Sequence, residues 1–179
     1  GNRIPEVKTI PITNSFDCIS STGPIDVDFV ASEASSIEIL ADENLIDLID
    51  ISYFGNSLEI SVKEEVNFRT QSPLRVKVSY PNLQSVELVS SGNINIFDLE
   101  ENEFEAHLRG SGNINLAGTV ENVTLVLSGS GKINSGNLKA SNLVAKLNGS
   151  GDIDAVAVLS AATRLAGSGN INIYGNRLR

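Results

Sequence analysis

The sequence predicts an all-β fold in which coils of about 20 residues stack as a parallel β-helix. A short phrase, written GSGNIN in two of its copies, returns five times in the second half of the chain. Apolar and polar residues alternate around each copy, which is a strand pattern. No helical stretch of ten or more residues separates the copies, which disfavours a sheet with helical crossovers.

The central glycines of the five copies set the period of the repeat. They are Gly92, Gly112, Gly131, Gly151 and Gly169, so the steps are 20, 19, 20 and 18 residues. A period near twenty is typical of stacked repeat units. Each copy therefore predicts a strand, a sharp turn and a strand, and glycine suits the turn because it tolerates a positive φ.

Two aliphatic columns run through the copies, with leucine four residues before the central glycine and isoleucine two residues after it. The members are Leu88, Leu108, Leu127, Leu147 and Leu165, and Ile94, Ile114, Ile133, Ile153 and Ile171. Coils that stack about 4.8 Å apart place equivalent side chains on one another. We therefore expect two internal ladders, in which each buried member contributes about 1.5–3 kcal/mol.

The repeats divide the chain into an irregular N-terminal β portion of the same fold, residues 1–80, and a regular repeat portion, residues 81–179. A weak sixth copy lies in the first portion, where Ile19–Val27 matches the frame of Leu88–Ile96 position by position. This alignment places Gly23 against the central glycine of the first regular copy.

Further alternating segments in the first portion predict strands of the same structure. They are Ile37–Ile39, Leu58–Val62 and Leu74–Val78. The apolar spacing of Asn44–Ile51 also permits a short helix. Its β-branched residues and flanking turn residues lead us to predict a strand there.

Composition limits the classes of partner. The chain has 179 residues, enough for one domain with a real core, and a net charge of −9. This acidity disfavours nucleic acid and anionic membrane surfaces, and no apolar stretch reaches the roughly 18 residues that span a bilayer. The chain lacks methionine, so we expect a mature or trimmed form, which is consistent with the removal of an export segment. Cys18 is alone and reads as a small core residue near a strand end.

The repeats contain few candidate sites for a phosphate group or a cation. The Gly-Ser-Gly phrases are followed by strands, whereas a phosphate loop precedes a helix. Asp152 and Asp154 are weak candidates for a cation site, because a hard cation needs several oxygens and the other copies carry asparagine or lysine there. We expect no cofactor.

An asparagine column follows the isoleucine ladder and leaves two interpretations open. Its members are Asn95, Asn115, Asn134 and Asn172, with Asp154 in the fourth copy. Stacked amides can hydrogen-bond along a ladder and saturate backbone groups at the corner, which is the role that we favour. The alternative is an outward polar stripe that contacts a ligand.

A carbohydrate-cleaving enzyme would need two carboxylates across the scissile bond. Asp26 and Asp28 share a strand face, whereas Glu101, Glu103 and Glu105 read as a solvated turn. His107 is expected to point outward, without a readable Ser-His-Asp grouping.

Aromatic platforms for sugars are scarce, because the chain has no tryptophan and three tyrosines. We expect Phe54, Phe97 and Phe104 to pack in the core or in turns.

The GSGNIN copies resemble the head GIN domain of the putative auto-transporter adhesin family, which is named for a Gly-Ile-Asn-like phrase. The phrases IEILADENLID and GNSLEISVK in the first portion are also similar to that family, so the resemblance covers most of the chain. It implies a right-handed parallel β-helix-like fold, export to the cell surface in Bacteroides-type bacteria, and no catalytic or cofactor-binding residues.

We therefore expect a non-enzymatic cell-surface or periplasmic β-helix module that acts as an adhesin or interaction scaffold. Its partner would be an extracellular protein or glycan, with no nucleic acid and no direct membrane insertion. The alternatives are a carbohydrate-binding or carbohydrate-cleaving β-helix protein and a self-assembling structural protein. At the last coil we expect Gly175–Arg179 to form a minimal basic cover through Arg177 and Arg179, or the coil end to join a second copy in a homo-oligomer.

Overall fold

A computed structural model of the protein describes residues 4–63 and 74–175, and it is 77% strand with a solenoid of about five turns. The strands are β1 (Pro5–Ile10), β2 (Cys18–Thr22), β3 (Ile25–Ala31), β4 (Ser36–Asp42), β5 (Ile49–Phe54), β6 (Ser57–Val62), β7 (Leu74–Tyr80), β8 (Ser85–Ser90), β9 (Asn93–Gly110), β10 (Asn113–Gly129), β11 (Lys132–Gly149), β12 (Asp152–Ala166) and β13 (Asn170–Gly175). The predicted all-β, β-helix-like fold class, with a less regular N-terminal part, is confirmed.

Each regular coil runs along two faces of the solenoid. Face A consists of β3, β7, β13 and the first residues of β9 to β12, and face B consists of β2, β6, β8 and the remainder of β9 to β12. Neighbouring strands within these sets are parallel. A bend joins the two faces, and it contains the positive-φ residues Asp98 and Gly118.

The leucine and isoleucine columns are in register from coil to coil. Leu108 pairs with Leu127 on face B, and Ile114 pairs with Ile133 on face A. All members from the first to the fourth coil are buried. The core of the solenoid therefore consists of these two ladders and of the further buried positions that alternate with outward polar residues.

The central glycines are not required for a positive φ, which was the reason that the sequence suggested. Positive φ occurs instead at the first glycine of the Gly-Ser-Gly phrase, such as Gly110 (φ 129°) and Gly129 (φ 123°). The central Gly131 is required by close approach, since a Cβ there would overlap the carbonyl oxygen of Gly112 and lie 2.9 Å from Leu108 Cδ2. In each Gly-Ser-Gly phrase the first glycine is thus required by its positive φ, and the central glycine is required by the close approach of the neighbouring coil.

The N-terminal strands enter the solenoid out of chain order. β2 lies between β6 and β8 on face B, and β3 lies between β7 and β9 on face A. The segment 18–31 is therefore one coil of the stack, and its two neighbouring coils come from later parts of the chain.

This early coil is shifted by two residues from the predicted alignment. Ile19 stacks on Val86 and Ser21 stacks on Leu88, so that Gly23 follows the strand at the level of Ser90. Gly23 has φ 102° and Ser90 has φ 89°, so both occupy the positive-φ position of the turn. The position-by-position match to Leu88–Ile96 is wrong, because a shift of two preserves the inward side chains and leaves the alternation unchanged.

Antiparallel strands cover the N-terminal end of the stack. β4 pairs antiparallel with β7, β1 pairs antiparallel with β4, and β5 pairs antiparallel with β6. The predicted strand over Asn44–Ile51 is wrong in its first half, where a turn and a 3-10 helix, Ile46–Leu48, precede β5. Ile46 in this 3-10 helix and its neighbour Leu45 are buried, so the segment between β4 and β5 closes the core at this end.

The C-terminal end is less covered among the described residues. β13 pairs with the first part of β12, whereas Ser160–Ala166 pairs with β11 alone. Leu165 stacks on Leu147 but is 49% exposed, so its predicted place in the internal ladder is wrong with respect to burial. The predicted basic cover at Gly175–Arg179 lies outside the described residues beyond Gly175.

Differences in coil length are absorbed at the bend and, between β11 and β12, also beyond it at Ala140–Asn142, and they leave the glycine turns in register. The register between β9 and β10 changes between Leu116 and Gly118, and the β10–β11 register changes between Asn115 and Ala117. At the far side, Gly110 pairs with Gly129 and Gly129 with Gly149. Steps of 18, 19 and 20 residues are therefore compatible with one continuous core.

Candidate interaction surface

Two columns of polar side chains project outward from face A, and we name this surface the amide face. The first column contains Asp26, Asn93, Asn113, Lys132, Asp152 and Asn170, and the second contains Asp28, Asn95, Asn115, Asn134, Asp154 and Asn172. Members of one column are neighbours across the parallel strands, so they lie about 4.8 Å apart. The amide face therefore runs over six successive coils.

Side-chain hydrogen bonds link the second and third members of both columns. Asn113 Nδ2 donates to Asn93 Oδ1 at 3.0 Å, and Asn115 Nδ2 donates to Asn95 Oδ1 at 2.9 Å. Because one donor and one acceptor of each pair are used along the ladder, the remaining amide hydrogens and lone pairs face outward in a defined orientation.

An arginine and two carboxylates close this end of the amide face. Asn93 and Asn95 donate to Asp26 Oδ1 at 2.7 Å and to Asp28 Oδ1 at 2.9 Å. Arg75 Nη1 lies 2.7 Å from Asp28 Oδ2, and Arg75 Nη2 lies 3.7 Å from Asp26 Oδ2. The guanidinium group thus bridges the two carboxylates and compensates one of their two negative charges.

The C-terminal end of the amide face has its own paired carboxylates. Asn172 Nδ2 donates to Asp154 Oδ1 at 2.9 Å, and Lys132 Nζ lies 3.2 Å from Asp154 Oδ2. The hydrogen bond from Asn172, aided by Lys132 and opposed by burial, lowers the pKa of Asp154 below its ordinary value of 3.8. Asp152 accepts a hydrogen bond from Asn170 at 3.2 Å.

Asp152 and Asp154, the weak candidates for a cation site, already have hydrogen-bond and ion-pair partners. The Lys132 ammonium and the Asn172 amide already occupy the two oxygens of Asp154. Within residues 4–63 and 74–175, no group of three or more His, Cys, Asp or Glu side chains is placed to hold a metal ion. The pair thus serves here as part of the hydrogen-bonded column.

The asparagine column does not lie at the corner of the coil, where the favoured interpretation placed it. Its members lie within the strands of face A and bond mainly to one another, so the predicted corner position is wrong although the predicted ladder is present. Asn134 is the exception, because its Oδ1 accepts the backbone N–H of Gly136 at 3.1 Å. The remaining members form an outward polar stripe, which is the geometry of the alternative interpretation.

Two aromatic side chains flank the amide face. Phe97 lies two residues after Asn95 on β9 and is 45% exposed, and Tyr174 lies two residues after Asn172 on β13 and is 53% exposed. Phe97 therefore does not pack in the core, and it lies next to the bend residue Asp98, whereas Phe104 is buried as expected. Four coil steps separate the two rings along the axis, or about 19 Å.

Phe54 is also exposed, but it lies elsewhere. It ends β5 at the tip of the β5–β6 hairpin and is 80% exposed. Cys18 begins β2 and is half-buried, so it is not the core residue that we predicted.

Acidic depressions lie on the other sides of the solenoid. One, of about 330 Å³, is lined in part by Asp17, Glu103 and Glu105. A second, of about 520 Å³, is lined in part by Glu101 and Glu121. His107 is outward on face B, as predicted, and its Nε2 lies 3.4 Å from Glu105 Oε2.

Glu101 departs from the solvated turn that the sequence suggested. It is paired with the buried Val120 across the β9–β10 ladder, and its carboxylate accepts the backbone N–H of Leu83 at 3.4 Å. Burial raises the pKa of Glu101 above 4.5, and the hydrogen bond from Leu83 opposes this shift.

The family comparison agrees with the coil architecture and the repeated glycine turns. The family model described as "Putative auto-transporter adhesin, head GIN domain" matches residues 15–176. The chain belongs to this family. A GIN domain of this family implies a surface or exported protein, and the part of the chain that the structure describes holds no helix long and apolar enough to cross a membrane.

Solved structures show the same fold over nearly the whole domain. A putative adhesin from Bacteroides fragilis has a TM-score of 0.74 at 18% identity, covering 96% of this chain and 98% of that one. A putative lipid binding protein from Parabacteroides distasonis has a TM-score of 0.57 at 22% identity, covering 97% and 98%. A putative adhesin from Parabacteroides merdae has a TM-score of 0.56 at 21% identity, covering 97% of each chain.

A comparison with curated proteins finds no match to this chain. The family thus supports an adhesin-type protein, whereas the structural neighbours show the fold alone. Which residues make contact with a partner has to be argued from the GIN domain itself.

The structure brings together residues that the sequence kept apart. Asp26 and Asn93 are 67 residues apart in the chain, and Asp28 and Asn95 have the same separation. Sequence reasoning placed the aspartates in a possible enzyme site and the asparagines in a repeat column. The only signal in the sequence that related the aspartates to the asparagines was that both occupy outward positions of alternating segments.

Proposed function

We propose that this GIN domain is a non-enzymatic binding module of an exported protein and that its amide face binds an extended glycan outside the cell. The observation that carries the proposal is the double column of outward amides and carboxylates on one set of parallel strands. The exported location fits the outer surface or the periplasm, and display at the outer surface is the location that we propose.

The chemistry of the amide face suits hydroxyl-rich ligands. An amide offers both a donor and an acceptor, which is what a sugar hydroxyl requires. The second and third members of the two columns, Asn93, Asn95, Asn113 and Asn115, carry no charge, so desolvating them on contact costs less than desolvating ions. Phe97 and Tyr174 add exposed ring surface beside the columns, where an apolar sugar face or ring can pack.

Rigidity of the surface also supports binding. The ladder hydrogen bonds hold Asn113 and Asn115 in fixed orientations before any ligand arrives. Binding then requires little loss of side-chain freedom, a cost of about 0.5–1.5 kcal/mol for each mobile side chain. A shallow preorganised surface of this kind is suited to repeated contacts along a polymer.

Binding without turnover agrees with the state of the carboxylates on the amide face. A glycosidase needs a general acid whose pKa is raised. The lowered pKa of Asp154 keeps it ionised, and Asp26 and Asp28 at the other end both form ion pairs with Arg75.

A glycan array and an extracellular-matrix protein array, probed with the labelled domain, test the proposal. The double variant Asn113→Ala, Asn115→Ala removes the centre of the amide face. The matched control, Ser128→Ala with Asn148→Ala, removes two exposed polar side chains from the outward side of face B. Phe97→Ala removes one flanking ring.

We expect glycan signals that fall at least about tenfold, or roughly 1.4 kcal/mol, in the amide-face variant and remain in the control. Equal loss in both double variants would contradict the amide face as the site. Signals on matrix proteins alone would replace the glycan by a protein partner, and binding to lipid vesicles alone would favour the chemistry named for the Parabacteroides distasonis neighbour.

A second candidate is carbohydrate cleavage at the acidic depression of Glu101. The raised pKa of Glu101 and the presence of Glu121 in the same depression favour it, because a carboxyl group with a raised pKa beside a second carboxylate is the glycosidase arrangement. Release of reducing ends from polysaccharides that is abolished by Glu101→Gln would establish this function. No release from any array-positive glycan would leave binding alone.

A further inference from the structure

The outward chemistry of face A changes along each strand but stays nearly constant from coil to coil. An exposed serine lies two residues before the first amide column in five successive coils: Ser91, Ser111, Ser130, Ser150 and Ser168. The position two residues after the second column carries no charge in any of the six coils. It holds Val30, Phe97, Ala117, Gly136, Val156 and Tyr174, and we name it the apolar strip.

The apolar strip is formed by strand pairing at both of its ends. Val30 pairs with Phe97, and Val156 pairs with Tyr174. In the middle coils the strip narrows, because Ala117 and Gly136 lie where the register shifts beside the bend. The amide columns thus have hydroxyl groups along one side and an apolar border along the other.

Repetition along the solenoid axis selects the direction of a polymeric ligand. From coil to coil, the surface offers related groups every 4.8 Å or so, that is, at about the spacing of hydrogen-bonded strands. Along a strand, a ligand would meet an amide, a second amide and an apolar side chain in turn, over about 13 Å. A chain of repeating units therefore finds repeating contacts only along the axis.

The spacing of the coils selects the linkage of a glycan. An extended chain of β-1,4-linked pyranoses advances for each sugar by close to the coil spacing of about 4.8 Å, so one sugar lies over each coil. An α-1,4-linked chain coils and turns its hydroxyls away from any one surface. The six coils of the amide face extend about 24 Å from the first column member to the last, which matches six sugars of the extended chain.

A pyranose has hydroxyl-bearing edges and carbon–hydrogen faces, and face A offers a partner for both. Asn95 donates to Asp28 and accepts from Asn115, which leaves one amide hydrogen and one lone pair for a sugar hydroxyl. Phe97 lies about 6.6 Å further along the same side of β9, where its half-exposed ring can pack on the sugar. Successive β-1,4-linked rings are turned over, but both edges carry hydroxyls and both faces carry C–H groups, so the kind of contact is kept.

Charge selects a neutral sugar. The two amide columns hold four aspartates, Asp26, Asp28, Asp152 and Asp154, and one lysine, Lys132. The whole chain carries a net charge of −9. An anionic polysaccharide would therefore be repelled along the surface, whereas uncharged hydroxyls can donate to the carboxylates.

We propose that the ligand of the amide face is a neutral, extended β-1,4-linked polysaccharide that lies along the solenoid axis, with one sugar over each coil. Its hydroxyls contact the second amide column, and its carbon–hydrogen faces contact the apolar strip. The first column lies outside the main contact, since it is one column further from the strip. This inference rests on the proposed function, because it names the linkage, charge and direction of the glycan that the amide face binds.

Isothermal titration calorimetry of the whole chain with oligosaccharides of two to eight sugars tests the direction, the linkage and the charge. The neutral β-1,4-linked series are those of glucose, mannose and N-acetylglucosamine. The comparison series are α-1,4-linked glucose and β-1,4-linked mannuronate. We expect the hexamer of at least one neutral β-1,4-linked series to bind at least about tenfold tighter than its own trimer and than either comparison hexamer.

Two results of this titration would overturn the proposal. An affinity that stops rising at three sugars would indicate a ligand that lies along one strand, because the two columns and the strip span only about 13 Å. Tightest binding to the α-linked or the uronate series would refute the linkage or the charge.

Asn113 and Asn115 are a matched pair that tests the position of the ligand. Both are exposed on the same coil, and each donates one ladder hydrogen bond of similar length. We expect Asn115→Ala to weaken hexamer binding about 3- to 10-fold, the loss of one hydrogen bond, and Asn113→Ala to weaken it less than about twofold. Equal losses, or the larger loss in Asn113→Ala, would refute contact with the second column.

Failure of this inference is separable from failure of the proposed function. If array glycans bind and lose their signal in the double variant Asn113→Ala, Asn115→Ala, while the hexamers show none of the expected preferences, the amide face binds a glycan of another shape and this inference is wrong. If no glycan binds the domain at all, the proposed function is wrong, and this inference is wrong with it.

Discussion

The central glycine column provides the sharpest test of the stacking geometry, through the substitution Gly131→Ala. The new Cβ would overlap the carbonyl oxygen of Gly112 and lie 2.9 Å from Leu108 Cδ2. That carbonyl cannot move freely, because it accepts the backbone N–H of Lys132 at 3.1 Å. Forced repacking costs about 1–3 kcal/mol and a weakened hydrogen bond about 0.5–1.5 kcal/mol, so we expect a loss of about 2–4 kcal/mol.

Two other glycines separate this steric cost from backbone preference. Gly55 has φ +59° with nothing within 4 Å of its Cβ position, so Gly55→Ala should cost only about 1–2 kcal/mol for the left-handed backbone. Gly136 has neither constraint, since its nearest neighbour is the flexible Asn134 Oδ1 at 3.3 Å. We expect Gly136→Ala to be neutral or to stabilise by up to about 1 kcal/mol.

Thermal and urea unfolding, followed by circular dichroism at the strand signal, measure all three variants. A loss of about 2–4 kcal/mol corresponds to a decrease in Tm of about 4–16 °C for a chain of this size. Gly131→Ala within about 0.5 kcal/mol of the wild type, or a larger loss in Gly55→Ala, would refute the close approach of coils as the reason for this column.

Three further changes test the core and the amide face. Ser21→Ala should be neutral or stabilising by about 1 kcal/mol, because the buried Ser21 Oγ has no hydrogen-bond partner among the described residues, and a clear loss in urea unfolding would reveal one. Leu127→Ala should cost about 2–5 kcal/mol and Leu165→Ala distinctly less, since the first is buried and the second half-exposed; equal costs would contradict the open last coil. Asn172→Ala should raise the pKa of Asp154 toward 3.8 in an NMR titration. Because a lowered pKa stabilises the fold above pH 3.8 and this stabilisation is lost as the pH falls through the folded pKa, the variant should be less stable near neutral pH and equal to the wild type in strong acid; a difference that persists there would exclude the carboxylate as its cause.

The regular half of the fold could be predicted because its sequence repeats. Once Leu108 and Leu127 occupy equivalent positions, parallel stacking follows from the period and from the alternation of inward and outward residues. The exposure of Leu165 could not be predicted in this way, since equivalent sequence positions have equivalent neighbours only in the interior of a stack.

The irregular half was less predictable for physical reasons. Alternation fixes which side chains point inward, but it does not fix register beyond a shift of two, so Gly23 was aligned to the wrong glycine. The antiparallel pairing of β4 with β7 depends on contacts between distant segments, which a local pattern does not record.

The amide face was partly visible in the sequence. The asparagines were recognised as a column, and Asp26 and Asp28 were recognised as sharing a strand face. Their union with Arg75 requires the order of strands across face A, which places the coil 18–31 directly beside β9. Phe97 was expected to pack in the core or in a turn, and its exposure could not be predicted because it depends on the bend at Asp98, where φ is 58°.

The position of the coil 18–31 between later segments has a consequence for how the chain reaches its native state. This segment leaves the ribosome early, yet its partners on face B, β6 and β8, arrive some 40 and 70 residues later. Contacts of such sequence separation form slowly, so the repeats that follow β8 can zip together first and then serve as the template on which the early segment closes. Synthesis and assembly of this domain would thus proceed in opposite directions along the polypeptide.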